Sequence, residues 1–256
     1  MSTIVESDGA GPVARYLALA EKVIVESERV AAGASAFLGS GYEMTERDRV
    51  LTGLACKAYG SFRALIEDCR AGRPEAMHHL KTMVEVFIYF YAVTADETDK
   101  TADGLVAERV AEQRARRLRR LDPGSPNLRV WEELRDEFRR ESVRIDDLAK
   151  LAARHGTSTW YAHVYQLACE SAHLADLLEW MPSDNGQIRI GENAIAEMGR
   201  WKVKTAIGYG IEIVLGLLET ITQINIAGLR VDTSAFRAEL AAIRDELQKE
   251  AQEGGC

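Results

Sequence analysis

Cysteine is scarce in this chain. There are four, Cys56, Cys69, Cys169 and Cys256, and no two form a Cys-x-x-Cys pair. That spacing excludes a disulfide-dense scaffold, a four-thiolate zinc site and a dithiol redox motif. Residues Met1 to Gly11 lack a basic segment followed by an apolar one, so no secretory leader is expected and the thiols read as reduced in a cytoplasmic protein. Also missing are a Walker loop, a Gly-x-Gly-x-x-Gly turn and a Gly-x-Ser-x-Gly elbow. Their absence removes the commonest nucleotide-binding and serine-hydrolase templates. Positive charge is not in excess: the net charge is −8, which argues against broad electrostatic binding to nucleic acid or an anionic membrane. Sustained strand-like alternation is absent as well, so no sheet is expected.

What the 256 residues do hold is helical periodicity divided by short breaks, with 46% hydrophobic and 28% charged residues. These proportions are those of a folded globular chain. The expectation is an all-α protein: one helical-bundle domain of about seven to eight helices, with 1–11 and 253–256 disordered. Gly11-Pro12 opens a first segment to about Gly33. Thr45 and Asp48 mark an N-terminal cap for a helix to about Arg70. Pro74 restarts the chain at a first-turn position, and that helix runs to about Ala95. Thr101 or Asp103 is the expected cap of a charged helix to Leu121. The run Asp122-Pro123-Gly124-Ser125-Pro126-Asn127 is the strongest loop and a candidate subdivision point. Asn127 is the expected cap of a helix to Arg154, and His155-Gly156-Thr157 breaks it. Ser158 to Met181, Gly191 to about Leu229 and a last segment capped by Asp232 or Thr233 complete the pattern.

The stretch Ala206 to Leu229 is long and apolar but carries Glu212 and Glu219. Carboxylates at mid-bilayer are costly, so it reads as a core helix and no membrane span is expected.

Candidate chemistry gathers on two helices. Met83 to Val93 is apolar on every side, with Glu85 its one charge. A helix apolar all round is buried, and a buried carboxylate needs a partner. Arg63, Arg200, Lys202 and His173 are the candidates. On the helix from Ser158, residues Trp160, Val164, Leu167 and Ser171 form the expected core stripe. Tyr161, Tyr165 and Ala168 lie along one flank, with Gln166, Cys169 and His173 along the other. His173, Glu85 and Cys169 are thus the candidate catalytic residues. Tyr161, Tyr165 and Gln166 are candidate ligand contacts in a polar pocket between the two helices.

Two Glu-x-x-His spacings, Glu75 to His78 and Glu170 to His173, each put a carboxylate and an imidazole on one helical face. Di-iron bundles use this pair twice, so a di-metal oxidase is an alternative reading. Otherwise no cofactor is expected. The run Arg109 to Arg120 holds six arginines. It reads either as a solvated face laced with ion pairs or as an RNA contact surface.

The phrases Leu80-x4-Glu85-Val-Phe-Ile-Tyr-Phe-Tyr91 and Tyr161-x3-Tyr165-Gln166-x2-Cys169-x3-His173 resemble DUF5677, a helical bacterial domain of unknown function, over roughly residues 45 to 225. Gln166 stands where that pattern commonly has Arg, and Cys169 where it has Ser. The family's Arg-x6-His phrase is similar to that of HEPN-type helical ribonucleases, which implies an RNA-directed nuclease or toxin-like protein as a second alternative. Gln166 lacks the charge that such chemistry draws from Arg. The first reading is therefore a binding or interaction domain that takes a small ligand or protein partner, with self-association through apolar helices also expected.

Overall fold

In a computed structural model, the described residues are 11–38, 41, 45–71, 73, 75–96, 100–141, 148–172, 183–184, 187–188, 192–224 and 229–253. The chain is all-α. Its helices are α1 (Pro12–Leu38), α2 (Glu46–Arg70), α3 (Ala76–Ala95), α4 (Lys100–Leu121), α5 (Pro126–Glu141) and α6 (Leu148–Arg154). After them come a π-helical turn over Trp160–Tyr165 that leads directly into α7 (Gln166–Ala172), then α8 (Glu192–Gln223) and α9 (Ser234–Glu253). The only strands among the described residues are β1 (Ser183–Asp184) and β2 (Gln187–Ile188). They pair antiparallel, Ser183 with Ile188 and Asp184 with Gln187, between the helical segments expected to end at Met181 and to start at Gly191, where no strand was expected.

The helix ends show which local signals worked. Thr45 accepts from the Asp48 N–H while the Asp48 carboxylate accepts from the Thr45 N–H, a reciprocal capping box at the start of α2. Gly156 lies at φ +71°, and the Thr157 N–H reaches back to the Ala152 carbonyl at 2.8 Å, closing α6 with the left-handed C-terminal turn that glycine favours. Other signals were misread by a residue or more. Thr101 and Asp103 sit inside α4, which begins at Lys100. Asn127 sits inside α5, because Pro126, with its fixed φ and missing N–H, takes the first helical position and leaves Ser125 before it. At the last helix the two candidates divide the work: Asp232 accepts from the Ser234 N–H, while the Thr233 hydroxyl turns away to Glu219. Pro74, and 1–11 and 253–256 apart from Gly11 and Glu253, lie outside the described residues.

α3 is the centre. Leu80, Met83, Val84, Ile88 and Phe90 are fully buried, with α2 along one side and α8 along another. α8 contributes Ile207, Ile211, Ile213 and Leu215, all fully buried. Two glycines of α8 admit large rings from its neighbours. A Cβ at Gly210 would come within 3.1 Å of the Phe62 ring of α2, and one at Gly216 within 3.1 Å of the Phe87 ring of α3.

By length and composition, Lys202–Gln223 could cross a membrane, but 67% of its most apolar window is buried inside the protein. Its two carboxylates are paired by α9: Glu212 with Arg244, and Glu219 with Arg237. The hairpin α4–α5 meets the main core near the start of α4, where Ala102 belongs to the main apolar cluster. α5 packs chiefly on α4, and Ala111 and Ala115 are fully buried yet lie outside the main apolar cluster.

Candidate functional site

Glu85 lies one turn past Lys81 on α3, and α3 packs against the π turn and α7. The Tyr165 hydroxyl donates to Glu85 Oε1 at 2.9 Å. Among the described residues, the bonded partner of this carboxylate is therefore a phenol from the flank of the later helix. Arg63 instead sits 3.7 Å from Glu28, and Lys202 makes an interaction of its own. The side chain of Arg200 and all of His173 lie outside the described residues. Glu85 is half-buried rather than fully enclosed, as are Lys81, Tyr161, Tyr165 and Cys169. A wet edge on an otherwise apolar helix lets a charge persist there without the cost of full burial.

The π turn explains why Tyr165 reaches α3. Its i→i+5 bonding, seen in the Gln166 N–H to Tyr161 carbonyl bond, widens one turn and rotates the following residues relative to a regular helix. A stripe through Val164, Leu167 and Ser171 was expected. The structure buries Val164 and Ala168 and leaves Leu167 partly exposed. Tyr161 and Tyr165, one turn apart, stack with ring centroids 5.3 Å apart. Trp160 packs its ring 4.9 Å from Phe87 and 5.8 Å from Tyr209, anchoring the turn between α3 and α8.

Burial first, then the bond to Glu85 and the negative potential of Glu85 and Cys169, pushes the Tyr165 phenol above its ordinary range. It stays protonated and donates. The Cys169 thiol lies near enough to this phenol to add to that shift. Lys81 completes the patch, its ammonium 5.7 Å from the centroid of the Tyr165 ring. Lys81 was missed in the sequence, although its i,i+4 relation to Glu85 was a readable signal.

The other candidates separate. Gln166 is exposed and has no bond to the pair. Glu75 and His78 are both exposed at the start of α3. The imidazole beside them, His79, meets the buried Asp68 instead, at 3.3 Å, with Arg73 also on that carboxylate at 3.1 Å. The Glu170 side chain, with His173, lies outside the described residues. Among the described residues no three His, Cys, Asp or Glu side chains gather as a metal site.

A second concavity lies elsewhere. Between α1, α2 and α8 an apolar cleft of about 120 Å³ is lined by Val30, Ala55, Leu217 and Ile221, with Cys56 and Tyr59 also on its wall. No local pattern marks this cleft, because its walls come from three separate segments. The thiols differ accordingly: Cys56 is exposed, while Cys69 is buried and its thiol is pushed up to about 12 by burial and by Asp68.

The model of a family of unknown function, DUF5677, matches residues 48–187, more than half of the 256 residues. That span holds both helices of the Glu85–Tyr165 pair. No curated protein and no solved structure matches the chain.

Proposed function

We propose, for a chain that belongs to the DUF5677 family, that it is a binding domain whose site is the half-buried patch of Lys81, Glu85, Tyr161, Tyr165 and Cys169. The observation that carries this reading is the Tyr165–Glu85 bond. It uses Oε1 of the carboxylate and fixes its orientation, while Oε2 has no partner among the described residues. Lys81, one turn away, supplies the opposite charge. A ligand suited to this pair brings an ammonium, guanidinium or amide donor to Glu85 and an anionic group to Lys81, with the stacked tyrosines as its wall. Small zwitterions and peptide ends have that chemistry. A π turn at the contact is a further support, since such turns recur where a helix is reshaped for a site.

A thermal-shift titration with free amino acids and their amides tests the reading. At least one zwitterion should stabilise the wild-type protein, and Glu85→Gln should abolish that stabilisation without lowering the melting temperature of the free protein by more than about 4 °C, the equivalent of about 1 kcal/mol. If no zwitterion stabilises the wild type, or if Glu85→Gln retains the effect, Glu85 and Tyr165 form only an inter-helix bond and the binding assignment fails.

A further inference from the structure

The hairpin α4–α5 differs in charge from the rest of the chain. Residues 100–141 hold eleven basic and nine acidic side chains, a net +2 in a chain of net −8, which leaves −10 for everything else. Its charges are arranged by side. Toward α5, Glu112 takes Arg116 of α4 and Arg135 of α5, and Arg119 reaches Glu132. On the side of α4 turned away from α5, Arg114 and Arg117 are exposed and make no ion pair among the described residues, and Arg120 on the flank makes none either.

The same outer side carries apolar surface. Val110 is 43% exposed and Leu121 is 69% exposed, and with Val130 at 50% they are three of the four exposed large hydrophobic side chains among the described residues. Val110, Arg114, Arg117 and Leu121 follow one another at spacings of four, three and four. They form one stripe of about 16 Å along the helix, with two cations between two apolar ends.

We propose that this stripe is a docking surface for an acidic amphipathic helix of a partner protein. Carboxylates on that helix would meet Arg114 and Arg117, and its apolar residues would cover Val110 and Leu121. The composition favours a protein partner. Protein interfaces enrich arginine and deplete lysine, and the cations from residue 113 to 121 are all arginine. Single-stranded RNA is held by aromatic stacking as well as charge, and α4 contains no aromatic residue. A second copy of the chain is the wrong partner for this face, because two such stripes laid antiparallel would set the arginines against their own counterparts.

The test uses the full-length protein and a fluorescent helical peptide of about twenty residues, with leucines at helical spacing on one face and glutamates on the other. The wild type should bind it. Arg114→Glu with Arg117→Glu, and separately Leu121→Asp, should each weaken binding by about tenfold or more, with the charge variant also losing most of its salt dependence. All these positions are exposed, so circular dichroism should show both variants folded as the wild type. A labelled RNA of about the same length in nucleotides, run in parallel, should bind no better to the wild type than to the charge variant. Failure of the wild type to bind the peptide overturns the proposal. So does RNA binding that depends on the arginines and ignores Leu121.

Discussion

Glu219 and Arg237 bind α9 to α8, and the strength of that clamp can be worked out and measured. Arg237 donates through Nε to Oε1 and through Nη2 to Oε2, both at 2.8 Å, and the Thr233 hydroxyl donates to Oε1 at 2.5 Å. Dry, charge-assisted bonds of this fork geometry are worth about 1.5–3 kcal/mol each. Here the side chains are 34% and 37% exposed, so solvent screens them, and exposed pairs measure about 0.2–1 kcal/mol. A coupling energy of about 1 kcal/mol follows. In a double-mutant cycle of Glu219→Gln and Arg237→Gln by urea denaturation, that is the expected coupling at pH 7. The hydrogen bonds from Arg237 foremost, opposed in part by burial and aided by Thr233, hold the Glu219 carboxyl below the usual range. A depressed carboxyl stabilises the fold above its unfolded pKa of about 4.3, and that stabilisation is lost as pH falls through the folded value. The coupling should therefore be flat from pH 7 to about pH 5 and decline below it. A coupling under about 0.3 kcal/mol at pH 7, or one that grows on acidification, would refute the reasoning.

Two further outcomes are expected. Phe62, fully buried against Gly210 of α8, should cost about 3–5 kcal/mol on replacement by alanine, read by the same denaturation; a loss below about 1.5 kcal/mol would mean that the interface collapses around the cavity. In native protein at pH 8, a thiol reagent followed by peptide mass mapping should modify Cys56 and leave Cys69 untouched, because burial both shields the Cys69 sulfur and raises its thiol to about 12. Equal labelling of the two would show that α2 opens on the labelling timescale.

Local signals carried a great deal. Repeating apolar positions give the helices, and the Thr45–Asp48 box and Gly156 mark two of their ends within the segment that encodes them. The apolar character of Met83 to Val93 is enough to place α3 at the centre. Glu85 stands out there as a charge that needs a partner. None of this depends on knowing what packs on what, because hydrogen-bond caps and apolar stripes act over one or two turns.

The partner of Glu85 was a different matter. It was settled by a widened turn at Trp160–Tyr165, which rotates Tyr165 toward α3 and leaves Gln166 outside. A regular periodicity cannot express such a rotation, since one i→i+5 turn alters the face of every residue after it. The division of the arginines is likewise tertiary. The run Arg109 to Arg120 reads as uniform charge, and only the packing of α5 on α4 neutralises one side and leaves Arg114 and Arg117 on the other. The sequence by itself determined the helices, the buried centre and the carboxylate within it, because these follow from local bonding and solvation. Which side chains meet across the bundle, and which arginines remain unpaired, was decided by tertiary packing, because those choices depend on helix rotations to which single-chain periodicity is blind.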